Sequence, residues 1–347
     1  MTTFEQLNLP KSVQKAIDDL GFTSPTPIQE KTFSVIMSGR DMMGIAQTGT
    51  GKTFAYLLPL LKLYKFTPGH TPKIVILVPT RELVVQVVEE VEKLTKYMSV
   101  RTIGIFGGVN INTQKTTVYQ GCDILVGTPG RIMDLTLDNV IRFEEMQKLV
   151  IDEFDEMLNL GFRTQLTAIL AMMPKKRQNI LFSATMTDEV DGILNDYFDY
   201  PEEVTLSASG TPLENIKQIT YNVPNFNTKV NLLKHLLETN EDMSRVLVFV
   251  NNKKISDMLH VRIEEDFEGQ FGVIHSNKSQ NYRLSTMAEF QEGNLRGLIT
   301  TDIMARGLDI SNITHVINFE MPEMPELYMH RIGRTGRADA TGTAISF

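Results

Sequence analysis

KIVILVPT, Lys73 to Thr80, is six apolar or aliphatic positions after one lysine, with no polar residue on alternate positions. A strand with one wet face would alternate. A continuous run of this length suits a strand of a parallel sheet that is covered on both faces. RELVVQVVEEVEKLTKY follows at once, with apolar residues at helical spacing. Strand, then helix, is the unit of an α/β fold, and the helix makes the right-handed crossover to the next parallel strand.

The unit recurs outward from there. DILVGTPG (123–130), KLVIDE (148–153) and NILFSAT (179–185) read as further strands, and MMGIA (42–46) is a short apolar run before a helical stretch. The grammar resumes in RVLVFVNN (245–252), FGVIHS (271–276), LRGLITTD (295–302) and THVINF (314–319). LSASGTPLEN (206–215), rich in Gly, Ser and Pro, separates the two sets. The 347 residues suit two domains at roughly 100–200 residues each. The expected organisation is therefore an α/β domain over 1–205, a linker over 206–215 and a second α/β domain over 216–347. Each is a mostly parallel sheet flanked by helices. GTAISF at the end reads as a strand cut short, so residues beyond Phe347 are expected in the natural chain.

Composition narrows the class. Hydrophobic residues make up 42% and charged residues 22%, as in folded soluble domains. The single cysteine, Cys122, excludes an internal disulfide and a cysteine-rich zinc site; it reads as core filler in a reducing, cytoplasmic setting. No apolar stretch approaches the ~18–20 residues that span a bilayer. The start, MTTFEQLNLPKSV, lacks the pattern of a secretory signal, so no membrane association is expected. The net charge of −8 argues against sequence-blind attraction to nucleic acid over the whole surface, but leaves room for a groove built from a few arginines and backbone amides.

AQTGTGKT, Ala46 to Thr53, nearly matches G-x-x-x-x-G-K-[ST], with Ala46 in the place of the first glycine. Gly49 and Gly51 free the backbone N–H groups of Ala46, Gln47, Thr48, Gly49 and Thr50 to face phosphate oxygens. The helix opening near Lys52 adds its positive end. Lys52 reaches the β- and γ-phosphates and Thr53 serves Mg²⁺. Such a loop needs an acidic partner at a neighbouring strand end, where ligands of these sheets sit. VIDEFDEM, Val150 to Met157, supplies it: Asp152 to hold Mg²⁺ and Glu153 to orient and deprotonate the attacking water. An acidic cap for the following helix is the other reading of DEFDEM, and Asp155 and Glu156 suit it.

The ordered set of motifs resembles the DEAD-box ATP-dependent RNA helicases of superfamily 2, in a compact bacterial type. The resemblance runs through FTSPTPIQ (22–29), AQTGTGKT, PTREL (79–83), Gly107-Gly108, TPGR (128–131), DEFD (152–155), SAT (183–185), VFVNNK (248–253), QNYR (280–283), TTDIMARGLD (300–309) and HRIGRTGR (330–337). It implies two tandem RecA-like domains with ATP hydrolysed in the cleft between them and coupled to local unwinding of short RNA duplexes. It also implies residue roles. Gln29 would read the adenine edge and Phe4 stack on its ring; Asp309 would contact the ribose. Arg334 and Arg337 would act as arginine fingers on the γ-phosphate. Ser183, Thr185 and His330 would couple the carboxylates to domain closure. RNA would be held through phosphates and 2′-hydroxyls, with little sequence preference, by Thr80, Arg81, Gly108, Thr128, Arg131, Gln280, Arg283 and Thr301. ATP and Mg²⁺ are the implied cofactors. A monomer is expected, with ribosome-assembly or RNA-decay proteins as partners.

The chain departs from the family at Phe154, where the family's name has Ala. Overpacking of a tight position costs about 1–3 kcal/mol where neighbours do not adjust, so Phe154 is expected to weaken the coupling of ATP turnover to RNA. That keeps an RNA clamp with poor unwinding open as the alternative. An ATPase acting on DNA is disfavoured by FTSPTPIQ and HRIGRTGR. A small-molecule kinase leaves everything after about residue 205 unexplained.

Overall fold

A computed structural model describes residues 3–46, 49–66, 69–206, 215–302, 312–336 and 341–347. The chain divides into two compact units, Met1–Ser207 and Ala208–Phe347. The linker expected over 206–215 lies, apart from Leu206 and Asn215, outside the described residues.

The first unit carries strands β1 (Met42–Ile45), β2 (Ile74–Leu77), β3 (Thr102–Ile105), β4 (Ile124–Gly127), β5 (Lys148–Ile151), β6 (Gln178–Ser183) and β7 (Glu202–Thr205). They form one seven-stranded sheet in the order β3-β4-β2-β5-β6-β1-β7, and every pairing is parallel. The second unit carries β8 (Ile216–Thr220), β9 (Val246–Phe249), β10 (Phe271–Ile274), β11 (Gly297–Thr300), β12 (His315–Asn318) and β13 (Gly342–Ser346). Its order is β10-β11-β9-β12-β13-β8, again parallel throughout.

The central strands bury both faces, as their unbroken apolar runs require. Ile74 and Ile76 of β2 pack with Val150 and Phe182 on one face, while Val75 and Leu77 pack with Leu149, Ile151 and Leu181 on the other. Three strands had no reading in the sequence: β3, β7 and β8. All three are edge strands. Only Ile105, Val204 and Ile216 among their residues are buried. A strand that covers one face in part does not write a continuous apolar run. Cys122 is buried, and burial pushes its thiol up to about 12, as core filler requires.

Phe154 opens the helix Phe154–Asn159 and is fully buried. It packs in the cluster of Leu149, Ile151 and Met157, on the sheet face opposite the one that holds Phe54, Tyr56 and Leu57 of the helix Lys52–Leu63. The position expected to be tight is thus a fully buried one. The ring fills the core behind the sheet, and only the carboxylates on either side of it stay at the strand end.

Candidate nucleotide and RNA site

Parallel register collects the motifs at one edge of the first sheet. Ile45 lies opposite Ser183, Ile151 opposite Leu181 and Leu77 opposite Ile151. Ala46, Thr80, Asp152 and Ser183 consequently leave the sheet on the same carboxyl side, where ligands of open parallel sheets bind. Ala46 donates its N–H to Ser183 O at 3.0 Å. Gln47 and Thr48 lie outside the described residues.

The loop turns into the helix Lys52–Leu63 at Gly51, which has φ +88°. A Cβ at Gly51 would sit 2.6 Å from Gln29 Nε2, so any larger residue would both strain the backbone and displace Gln29. Gln29 is held on both sides. Its Oε1 accepts from Thr26 N–H at 3.0 Å and its Nε2 donates to Gly51 O at 3.1 Å. The glutamine expected to read a base thus also ties the cap of the helix Pro27–Ser38 to the phosphate loop. Phe4 is 3% exposed and belongs to the core of the unit. It packs in that core and leaves little of its ring exposed. Phe22, which precedes that helix, is 50% exposed and meets Phe54 edge-on at 5.4 Å. It is the aromatic that the residue-by-residue reading passed over, although it stands inside FTSPTPIQ.

Beyond the loop, Lys52 is buried, with Nζ 3.9 Å from Asp152 Oδ1 and no hydrogen-bond acceptor among the described residues. A buried ammonium without an acceptor is costly, and a bound phosphate would supply one. Asp152 is buried too, and its Oδ1 accepts from Glu153 N–H at 2.9 Å. Burial pushes the Asp152 carboxyl above the ordinary range, and the Lys52 charge opposes that shift. Glu153 has φ +53° and ψ +51°, a left-handed conformation that L side chains seldom adopt and that tends to gather at functional positions. Among the described residues no group of three or more His, Cys, Asp or Glu is placed to hold a metal ion. Thr53 and Asp152 alone would make an incomplete cage. That fits Mg²⁺, which binds through one or two protein ligands plus substrate phosphates.

Asp155 answers the rest of the acidic stretch. Its Oδ2 accepts from both Thr185 N–H at 3.0 Å and Thr185 Oγ1 at 2.8 Å. Ser183 Oγ donates to Thr185 O at 2.7 Å. The two sequence motifs are therefore joined by hydrogen bonds within the first unit, a role for Asp155 that the helix-cap reading missed.

The expected RNA residues of the first unit also gather at the carboxyl edge, after β2, β3 and β4. The Arg81 guanidinium lies over Gly108, where a Cβ would stand, and the Gly108 φ of +82° is a conformation that L side chains rarely adopt. Thr80 caps its helix by accepting from Leu83 N–H at 3.2 Å, and Thr128 is the N-cap residue of the helix Pro129–Leu137. Arg131 is buried and donates to Gln114 Oε1 at 2.6 Å and Val109 O at 3.2 Å. It braces the loop after Gly108.

In the second unit, Gln280 and Arg283 are bonded to each other through Oε1 and Nη2 at the start of the helix Gln280–Glu292, and Thr301 follows β11. His330 lies in the helix Pro325–Ile332 and Arg334 just after it, buried. Asp309 and Arg337 lie outside the described residues. The missed residue here is Arg331, 1% exposed. It makes a fork on Asp302 at 2.6 and 2.7 Å and also donates to Asn251 Oδ1, Asn318 Oδ1 and Glu320 O. Its guanidinium lies over the Phe249 ring at 5.1 Å. The sequence signal was present in HRIGRTGR, but spacing alone does not distinguish the arginine that turns inward.

No helix among the described residues is long and apolar enough to cross a membrane. Residues 26–193 match the family model of the DEAD/DEAH box helicase domain, and residues 228–339 that of the helicase conserved C-terminal domain. The chain is 41% identical to the DEAD-box ATP-dependent RNA helicase CshA of Geobacillus kaustophilus, covering all of this chain and 73% of that one. It is 40% identical to CshA of Bacillus cereus and spans 65% of its length. Among solved structures, Saccharomyces cerevisiae Dbp5 bound to RNA and ADP-BeF3 superposes with a TM-score of 0.89 at 29% identity, over all of this chain and 89% of that one. Both units are thus RecA-like, and the chain belongs to the DEAD-box family of ATP-dependent RNA helicases.

Proposed function

We propose that this chain hydrolyses ATP at the carboxyl edge of its first sheet and uses the cycle to separate short RNA duplexes locally. The observation that carries the reading is the buried Lys52 ammonium without an acceptor, set beside Asp152 and the strained Glu153. Lys52 and the loop through Thr53 hold the phosphates. Thr53 and Asp152 hold Mg²⁺, which neutralises phosphate charge when bound. Glu153 orients the attacking water and takes its proton. Gln29 holds the loop and faces the base, and Phe22 offers the ring face expected of Phe4. Arg334 and Arg337 of the second domain, over 216–347, complete the site in the working state, and Asp309 meets the ribose. Asp155, Thr185 and Ser183 carry nucleotide state toward the RNA side, with His330 in the second domain. Thr80, Arg81, Gly108, Thr128, Arg131, Gln280, Arg283 and Thr301 form an RNA track that contacts backbone and not bases. The working unit is a cytoplasmic monomer.

Glu153→Gln tests this. The variant is expected to bind a fluorescent ATP analogue as the native chain does, and to lose about 10²–10⁴-fold in RNA-stimulated turnover. Strand displacement on a short overhanging duplex should disappear with it. Native-like turnover would remove Glu153 from the chemistry. Native ATP hydrolysis without strand displacement would favour the clamp reading, and stimulation by DNA equal to that by RNA would overturn the substrate class.

A further inference from the structure

Tyr56 stands one turn into the helix that begins at Lys52, at i+4 from Lys52 and i+3 from Thr53. Those spacings put all three side chains on one face, and long helical side chains lean back toward the N-terminus. Tyr56 is fully buried, with its ring tilted against Phe182 at 5.8 Å. Its hydroxyl has no hydrogen-bond partner among the described residues. The polar groups beside it are Thr53 and the Asp152 carboxylate, close enough to bear on its ionisation but not in bonding geometry. A buried tyrosine hydroxyl normally finds a partner, and leaving one unmade costs about 1–3 kcal/mol. For packing against Phe182 alone, phenylalanine would serve without that cost.

We infer that Tyr56 is a positioning residue for the cation site: its hydroxyl donates to the Asp152 carboxylate when nucleotide and divalent cation are bound. The Asp152 Oδ1 atom already accepts from Glu153 N–H. A second donor from the helix side would fix the plane of the carboxylate and leave its remaining lone pairs aimed at the cation and its water. Tyr56 touches neither phosphate nor attacking water; it acts through Asp152. This rests on the reading of Thr53 and Asp152 as the cation's protein ligands.

The test is Tyr56→Phe, which removes one oxygen and keeps the ring. Mn²⁺ is titrated by electron paramagnetic resonance into the full chain with a non-hydrolysable ATP analogue, for the native chain, Tyr56→Phe, Asp152→Asn and the double variant. Loss of one hydrogen bond to a carboxylate predicts cation affinity about five- to tenfold weaker in Tyr56→Phe, with nucleotide affinity in the absence of cation unchanged. The double variant is expected to be no weaker than Asp152→Asn alone, because the hydroxyl acts only through that carboxylate. Thermal unfolding without ligand should occur at the native temperature or above it, as a merely structural hydroxyl would not. Native-like Mn²⁺ affinity in Tyr56→Phe, or additive losses in the double variant, overturns the inference and leaves the cation reading standing. A native chain that takes up no Mn²⁺ with the analogue overturns both.

Discussion

Lys52 in the first unit and Arg331 in the second are both buried cations at the carboxyl edge of a parallel sheet, with opposite surroundings. All five N–H groups of Arg331 meet acceptors, on Asp302, Asn251, Asn318 and Glu320. The Lys52 ammonium meets none among the described residues, and its ion-pair distance to Asp152 is 3.9 Å. Tyr56 and Glu153 beside it repeat the pattern, one with an unmade hydrogen bond and the other with a left-handed backbone. A buried charge that the protein itself satisfies is scaffold. A buried charge that it leaves unsatisfied points to a ligand that completes it. The second unit thus holds its motifs through Arg331, and the first leaves a buried cation for a ligand to complete, at the place proposed above for phosphate.

The comparison predicts stability effects of different size. Phe154→Ala lies outside both polar sites and sets the upper mark. Emptying a fully buried ring position should cost about 3–5 kcal/mol in denaturant unfolding of the first unit. A loss below 1 kcal/mol would mean that the ring is not packed behind the sheet as described. Arg331→Lys should cost about 2–3 kcal/mol, because a point charge cannot reproduce the fork on Asp302. The loss should be confined to the second unit, and a native-like melting profile would break the scaffold half of the comparison. Thr185→Val removes the hydroxyl half of the Asp155 link while leaving its N–H in place, for about 1–2 kcal/mol. Its sharper readout is RNA stimulation of ATP turnover, which should fall while unstimulated turnover changes little. Lys52→Met should move stability by less than about 1 kcal/mol, since it removes a buried ammonium without an acceptor and the Asp152 carboxyl, already pushed up by burial, can take a proton in its place. Nucleotide affinity in the same variant should fall at least tenfold, roughly the strength of one charge-assisted hydrogen bond. A Lys52→Met variant as destabilised as Arg331→Lys would erase the distinction between the two cations.

Much of the fold was legible because central parallel strands bury both faces and so appear as unbroken apolar runs. KIVILVPT, KLVIDE and RVLVFVNN each proved to be a central strand. β3, β7 and β8 escaped because these edge strands bury one residue each, whereas β10, also at an edge, is buried throughout and was legible as FGVIHS. That Lys52, Asp152 and Glu153 lie together was legible from spacing, since the glycines and lysine are consecutive and the carboxylates follow directly on a strand. Arg331 and Asp155 could not be singled out, because their importance lies in partners that other strands and helices bring to them.

The amino-acid sequence by itself determined the alternation of strand and helix, the two sets of strands and the placement of the glycine-rich loop and the acidic pair directly after strands. Those depend on burial and on residues adjacent in the chain. Tertiary structure alone decided which face of the sheet Phe154 fills, that Phe4 is core while Phe22 is open, that Gln29 is tied to Gly51, and which buried cation is left without acceptors. Each of those depends on the direction of a side chain relative to segments distant in sequence, and spacing along one strand or helix does not specify that direction.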